Sequence, residues 1–294
     1  MSREPWDAAL LSRIAHLHLR ARRAVAGWRQ GQHLSARATT NIEFVDYKDY
    51  VPGDPIRAVD WRVAARTDRL VIRRHVAETE VPVTLVVDAS GDLGTGAPDL
   101  EHSKLGATIV MAATLAVLLE QRGDPVGLEI IGGRSSGQTS LPPRRSTLPS
   151  IIRSLAAVEP EGRADLDSAF RELGPRLPRR SIVIVLSDLM EDPAAWGPSI
   201  VALTQRGVDL RVLHVHDPVE WALGGDGEVR VYSPEGGDSL AIDPVSARPH
   251  MEAVVQEYLK QVRSALSQGR GRHHLVAADA PLDEVLNAAL GGRP

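Results

Sequence analysis

Cysteine is absent from the 294 residues of this chain, which excludes disulfides, thiolate metal sites and cysteine nucleophiles together. Aromatic residues make up only 4% of the chain. The arginines are accompanied by no aromatic signature of RNA binding and by no zinc-ligand spacing, so we expect no nucleic-acid partner. A Walker A phosphate loop and a Gly-x-Ser-x-Gly nucleophile elbow are also missing from the sequence.

Long apolar runs are missing as well, because none approaches the ~20 residues that span a bilayer. The first ten residues, MSREPWDAAL, lack the basic and apolar regions of a signal peptide. We therefore expect a cytoplasmic protein without a transmembrane segment.

Charge is distributed unevenly, although the formal net charge is only −4. Residues 1–80 hold fourteen basic and ten acidic residues, so the rest of the chain carries −8. Six arginines lie within residues 57–74, which is either a docking face for an acidic partner or a segment whose charges pair internally. Five acidic residues between positions 54 and 80 favour internal pairing.

Two strand-like segments each run directly into acidic residues. Val83–Val87 precedes Asp88-Ala89-Ser90-Gly91-Asp92, and Ser181–Leu186 precedes Ser187-Asp188. Continuous apolar runs are typical of strands that are covered on both faces. In a parallel sheet, ligands bind beyond the carboxyl ends of strands, where the strand order reverses. We therefore expect Asp88 and Asp188 to lie on adjacent strands.

Helical and strand patterns alternate from residue 82 onward, which predicts an α/β fold with a Rossmann-like, doubly wound, mainly parallel sheet over residues 81–294. Residues 1–80 are expected to form an N-terminal helix and an extended β/loop arm that packs on this core. The predicted helices lie at 5–26, where Gly27 would end the helix, and at 103–122, 148–157, 165–173, 194–206, 245–268 and 282–290. The predicted strands lie at 69–76, 83–88, 126–131, 138–141, 181–188, 210–216 and 273–276, with a loop at 132–137 and a hairpin insertion near 228–243.

The most specific pattern in the chain lies upstream of the first core strand. It consists of Pro52, Gly53, Asp54, Arg57, Asp60, Trp61 and Arg66, and it is followed by Asp88-x-Ser90. This pattern resembles the bacterial domain-of-unknown-function-58 family, whose members are von Willebrand factor A-like proteins typically encoded beside MoxR-type AAA+ ATPases. The resemblance covers about residues 25–290, and it implies a von Willebrand A-like fold without an established enzymatic activity.

The same seven residues are expected to be a structural signature. We expect Arg57, Asp60 and Arg66 to bond within the protein and to hold their segment on the core, with Trp61 as an anchor.

The resemblance also implies a metal-ion-dependent adhesion site, from which this chain departs. Asp88, Ser90 and Asp188 match the pattern, whereas Asp92 replaces a serine and Ala164 replaces a threonine. We expect a degenerate site formed by Asp88, Ser90, Asp92 and Asp188, which holds no cofactor firmly and at most binds Mg²⁺ or Mn²⁺ weakly. A metal ion, Lys104, His102, an arginine or protonation can compensate the clustered carboxylates.

Two functions fit these residues. The leading one is a non-enzymatic adaptor that binds a protein partner, a MoxR-type AAA+ ATPase, through Ser90, Asp92 and Asp188. The alternative is a metal-dependent hydrolase that uses Asp88, Asp92 and Asp188. No nucleophile–base pair is evident in the sequence, which favours the adaptor.

A second candidate ligand pair is His214 and His216, which lie two residues apart on a predicted strand and precede Asp217. Local hydrogen bonding of strand-end histidines is the commoner arrangement, and it is the one we expect.

Overall fold

The computed structural model describes most of the chain. The described residues are 8–36, 46–52, 54, 56, 59–67, 69–74, 81–95, 99–135, 140–144, 147–222, 229–231 and 240–291. Contacts divide the chain into two compact units, one formed by Met1–Arg29 with Val81–Pro294 and the other by Gln30–Glu80. The expected N-terminal region 1–80 is thus divided between the two units. The packing of residues 30–80 on the core stays a prediction.

The described helices and strands alternate along most of the chain, as the sequence pattern predicts. The helices are α1 (Ala8–Ala36), α2 (Trp61–Thr67), α3 (Lys104–Arg122), α4 (Leu148–Ala156), α5 (Leu166–Leu173), α6 (Pro193–Gln205), α7 (Pro218–Ala222), α8 (Pro244–Gln268) and α9 (Leu282–Leu290). The strands are β1 (Asp46–Asp49), β2 (Val71–Arg74), β3 (Val83–Asp88), β4 (Val126–Ile131), β5 (Arg134–Ser135), β6 (Ser140–Arg144), β7 (Val158–Glu159), β8 (Ile182–Ser187), β9 (Asp209–His216), β10 (Val229–Val231), β11 (Leu240–Ile242) and β12 (Arg272–Ala277).

The central sheet has six strands in the order β12-β9-β8-β3-β4-β6. The first five strands are parallel, and β6 pairs antiparallel with β4 at the edge. From β3 the chain first adds β4 and β6 on one side and then β8, β9 and β12 on the other. The order therefore reverses between β3 and β8, and this confirms the expected doubly wound, mainly parallel α/β fold.

Apolar side chains of the sheet pack on both of its faces. Leu85 and Val87 of β3 belong to a core cluster that also contains residues of α1, α3, α4 and α9. Val86, between them, belongs to a second cluster with residues of α5, α6 and α8. Successive side chains of a strand point to opposite faces of the sheet. A strand that is covered on both faces therefore needs an apolar residue at nearly every position. This is why the strand sequences show no polar alternation.

Helix α3 lies in the first of these clusters, with fifteen of its nineteen residues buried. The hydroxyl of Ser103 accepts a hydrogen bond from the Gly106 N–H and so caps its start, and Gly123 ends it with φ 84°. Within the described chain, α3 alone is long and apolar enough to cross a membrane, with a mean hydropathy of 1.4, yet 83% of that stretch is buried. The core helix of a folded domain has the same properties.

Several boundaries differ from the sequence prediction. Helix α1 continues through Gly27 to Ala36, because a single glycine costs a helix only about 1 kcal/mol and no proline follows before Pro52. The predicted loop at 132–137 contains β5, which pairs with β7. Helix α2 lies in a region without an evident helical pattern. Strands β10 and β11 pair antiparallel as the predicted hairpin requires, and its turn lies outside the described residues.

The Gln30–Glu80 unit is built on the strand pair β1–β2 and helix α2. Asp54 closes a turn, since its carboxylate accepts a hydrogen bond from Val51 N at 3.1 Å. Asp60 precedes α2 and accepts from Val63 N at 3.3 Å, so it caps the helix. Trp61 is 60% exposed on the surface of this unit. Two signature residues, Gly53 and Arg57, lie outside the described residues.

Candidate functional site

The candidate site lies where β3 and β8 end side by side. The two strands pair in parallel, Asp88 is the last residue of β3, and Asp188 directly follows β8. Both carboxylates are buried, with exposures of 2% and 4%. The expectation that these aspartates lie at the ends of adjacent strands, at the reversal point of the sheet, is confirmed.

Asp88 is held by hydroxyl and amide donors. Its Oδ1 accepts a hydrogen bond from Ser90 N at 2.9 Å, and its Oδ2 accepts from Ser187 Oγ at 2.5 Å. Burial, followed by the nearby charge of Asp188, raises the pKa of Asp88 from 3.8 to about 6, although the hydrogen bonds from Ser187 and Ser90 oppose the rise. Asp88 is therefore a carboxyl group that changes its protonation state just below neutral pH.

Asp188 is paired with an internal cation. Lys104, the first residue of α3, places its Nζ 3.0 Å from Asp188 Oδ2 and 2.9 Å from Glu220 Oε2, and its side chain is only 6% exposed. Burial lowers the pKa of Lys104, but the two carboxylates outweigh this effect, so the net pKa is raised and the lysine is charged at neutral pH. Among the compensating groups that the sequence analysis names, Lys104 is thus the one that contacts Asp188. His102 instead pairs with Asp99 at 2.7 Å.

Glu220 was missed by the sequence analysis. It lies on the short helix α7, 32 residues beyond Asp188, and no motif marks it. Burial raises its pKa, and the bond from Lys104 opposes the rise. Lys104 itself carries a usable signal, because it is the one charged residue in the otherwise apolar run from position 103 to position 119.

A cleft of about 400 Å³ opens above the two aspartates. Ser90 is 6% exposed at its floor, whereas Asp92 is partly exposed. The predicted residues Asp88, Ser90, Asp92 and Asp188 are thus brought together, and Ala164, which carries no hydroxyl, lines the same cleft. The remaining lining residues are Arg163, Met190, Glu191, Asp192 and Ala195.

The described part of the chain contains no evident metal-ligating cluster. There, no group of three or more His, Asp or Glu side chains is arranged to hold a metal ion. One oxygen of Asp188 is bonded to Lys104 and one oxygen of Asp88 to Ser187. These bonds direct both buried carboxylates toward donors of the protein itself.

The two candidate histidines make different contacts, and neither shows the expected local hydrogen bond. His214 is buried, and its Nδ1 lies 3.1 Å from Nε2 of His273 on the neighbouring strand. His216 stacks on Trp221, with ring centroids 4.2 Å apart. Burial lowers the pKa of His214 to about 3 and that of His273 to about 4, so both are neutral near pH 7. His214 thus bonds to a neighbouring strand, whereas His216 stacks on a ring of α7 and its buried Nδ1 has no hydrogen-bond partner among the described residues.

Known proteins resemble this chain over most of its length. The family profile described as "Protein of unknown function DUF58" matches residues 46–277. Uncharacterized proteins of Mycobacterium tuberculosis and Mycobacterium bovis are 29% identical over 245 residues, which is 81% of this chain and 75% of theirs.

Two solved structures show the extent of the structural similarity. The conserved hypothetical protein BatB from Bacteroides thetaiotaomicron has a TM-score of 0.48 and 14% identity, over 70% of this chain and 95% of its own. The SpRpn10 VWA domain has a TM-score of 0.44 and 12% identity, over 73% of this chain and 98% of its own.

Proposed function

This chain belongs to the family described as protein of unknown function DUF58, and we propose that it works as a non-enzymatic adaptor that binds a protein partner at its acidic cleft. The partner that we propose is a MoxR-type AAA+ ATPase, which the resemblance of the signature segment implies. The interaction would serve the assembly or regulation of other proteins.

The observation that carries this proposal is the buried ion pair of Lys104 with Asp188. In a site that recognises partners through a metal ion, the cation neutralises buried aspartates and leaves a coordination position for the partner's carboxylate. Here the ammonium of Lys104 already neutralises Asp188 and is itself buried. Its side chain is only 6% exposed and its Nζ is bonded to Asp188 and Glu220, so it is poorly accessible to a partner. We therefore propose a degenerate adhesion site that needs no metal.

The exposed part of the site is then negative. Asp92, Glu191 and Asp192 lie around the cleft, and Arg163 is the basic residue among its described lining. Complementary charge speeds association and selects the partner, so a cationic patch on the partner suits this surface best. Such an interaction weakens as salt screens the charges.

The composition of the cleft also bears on the hydrolase alternative. A hydrolase of the expected kind needs a histidine or a metal-bound water next to its carboxylates. No histidine is among the described residues that line the cleft. His214, which bonds to the backbone of Asp188, has a pKa of about 3 and cannot cycle a proton at neutral pH. These features support binding rather than catalysis.

The partner proposal is tested by capture of a purified MoxR-type AAA+ ATPase. Asp92→Lys reverses a charge in the cleft, and we expect it to reduce capture at least about tenfold. Glu252→Lys, which reverses an exposed charge on α8, is the matched control and should capture the ATPase normally. If Asp92→Lys captures as much ATPase as the wild type, the cleft is not the binding surface.

Metal independence is tested separately by calorimetric titration of Mg²⁺ and Mn²⁺ into the wild-type protein, together with capture in the presence of EDTA. We expect only weak binding and unchanged capture. Micromolar metal binding that Asp88→Ala abolishes would show that the site is a functional metal site instead.

A further inference from the structure

A second charged surface lies at the opposite end of the sheet from the candidate site. Strands β8, β9 and β12 are neighbours and run in parallel, so the loops that precede them lie together at their amino ends. These loops contain Arg179 and Arg180 before β8, Arg206 before β9 and Arg270 before β12. All four arginines are exposed.

These four guanidinium groups have no partner among the described residues, whereas many other arginines there are paired. Within the described residues none of the four makes a hydrogen bond or an ion pair through its side chain. The carboxylate nearest to Arg206 in sequence, Asp209, is already shared, since its Oδ2 lies 2.8 Å from Arg211 and 3.2 Å from Arg272. Asp209 is thus bonded to two arginines that do not belong to the group of four. The surface therefore keeps an excess of positive charge.

A cleft lies between the first two of these loops. Its volume is about 540 Å³, and Arg179, Arg180 and Arg206 surround it above the buried side chain of Leu177. Pro178, Gln205, Gly207 and Val208 complete the described lining. The lining therefore combines three cationic groups with no carboxylate.

We propose that this cleft, which we call the basic cleft, binds an acidic polypeptide segment. Guanidinium groups bind carboxylates through paired N–H···O bonds, and three of them around one concave surface can engage several Asp or Glu side chains of one segment. The occupant therefore carries a cluster of Asp or Glu residues. This surface is separate from the acidic cleft, so the proposal does not depend on the proposed function.

Polypeptide is favoured over nucleic acid by the shape and composition of the basic cleft. Single-stranded nucleic acid needs aromatic side chains on which its bases stack, and the described lining contains none. A duplex needs a basic surface that tracks its backbone over many phosphates. The net charge of −4 for the whole chain opposes both.

The test measures fluorescence anisotropy of a fluorescein-labelled peptide of about ten residues that alternates Glu and Ser. We expect the wild-type protein to bind this peptide and to lose affinity as salt is raised. The double variant Arg179→Gln with Arg206→Gln should bind at least about tenfold more weakly. The double variant Arg153→Gln with Arg248→Gln removes two exposed arginines elsewhere, on α4 and α8, and should bind as the wild type does.

Both double variants must show the melting temperature of the wild type, and single variants replace any that does not. The proposal is overturned if the wild type fails to bind the peptide, or if the two double variants lose affinity equally. It is also overturned if a single-stranded oligonucleotide of equal charge binds more tightly than the peptide and responds to the same substitutions.

Discussion

At the residue scale, Asp88 and Asp188 compensate the cost of burial in different ways. Asp188 has an ammonium group within 3.0 Å. Asp88 has only neutral donors, the hydroxyl of Ser187 and the amide of Ser90. A buried carboxylate without a cation takes up a proton more readily, which accounts for the pKa of about 6. The two aspartates therefore have different protonation behaviour although they end adjacent strands.

The pKa of Asp88 predicts a pH dependence of stability. Between about pH 4 and pH 6 the folded protein keeps a proton that the unfolded chain, with a pKa near 3.8, releases. The Asp88 contribution to the free energy of unfolding therefore falls as pH rises through this window, by roughly 3 kcal/mol. Asp88→Asn should remove this loss, as measured by urea unfolding at several pH values.

His214 of β9 and His273 of β12 have lowered pKa values, so their contribution to the free energy of unfolding rises with pH over a similar range. Only the difference between variant and wild type therefore reports on Asp88. Asp283→Asn, at an exposed position on α9, serves as the control. If the pH profiles of Asp88→Asn and the wild type are parallel, Asp88 is ionised throughout and the reasoning is wrong.

Lys104 provides a second prediction at this scale. Lys104→Ala leaves Asp188 and Glu220 without their cation, and breaking a buried pair costs roughly 3 kcal/mol of stability. The vacated space also lies beside the buried carboxylate of Asp188 and the half-buried one of Glu220, so we expect the variant to gain affinity for Mn²⁺. The melting temperature of the variant should then rise on addition of Mn²⁺, whereas that of the wild type should not. Lys104→Arg keeps the charge and should gain no metal affinity.

At the element scale, the packing of α3 explains how its one buried charged residue, Lys104, is accommodated in the core. Ser103 caps the helix, and a continuous apolar surface buries the rest of it. This packing holds Lys104 at the first helical position, beside the ends of the strands. The helix also requires a close approach at Gly106, where an added Cβ would meet the Leu100 carbonyl oxygen and would lie 2.7 Å from that of Glu101.

Glycine substitutions test this packing. Gly106→Ala should destabilise the protein although alanine favours helix more than glycine, because the added methyl group would overlap backbone atoms. Gly27→Ala in α1 is the matched comparison, since nothing lies within 4 Å of its added Cβ, and it should stabilise by about 0.5–1 kcal/mol. Thermal unfolding of both variants measures the contrast. Equal shifts would show that helix propensity alone decides.

At the scale of the whole molecule, the part of helix α1 that lies before residue 30 packs in the core unit. Its residues Leu17, Ala21 and Val25 are buried in the same cluster as α3 and β3. Trp28 Nε1 donates a hydrogen bond to Asn287 Oδ1 at 3.2 Å. The core unit therefore includes residues that precede the Gln30–Glu80 unit in sequence.

This arrangement predicts which truncations fold. Replacing residues 30–80 by a Gly/Ser linker of about 25 residues, with an r.m.s. reach of roughly 28 Å, should leave a core unit that unfolds cooperatively. Deleting residues 1–80 entirely should expose the apolar surface that α1 covers and cause aggregation. Circular dichroism with size-exclusion chromatography distinguishes the two variants. A linker variant that aggregates as the deletion does would contradict the division into units.

The sequence by itself determined those features that depend on neighbours in the chain. The apolar runs of β3 and β8 and the acidic residues after each strand were predictable, because strand burial is encoded in a few consecutive residues. The parallel arrangement of β3 and β8 followed from the alternation of strands and helices.

Only the tertiary structure decided how the charges of the site are compensated. Lys104 meets Asp188 across 84 positions of the sequence, and the second partner of that lysine lies on α7. The contact between His214 and His273 likewise joins two strands 59 residues apart. Ion pairs and pKa values depend on distances of a few ångströms and on burial, which arise only when the helices pack on the sheet.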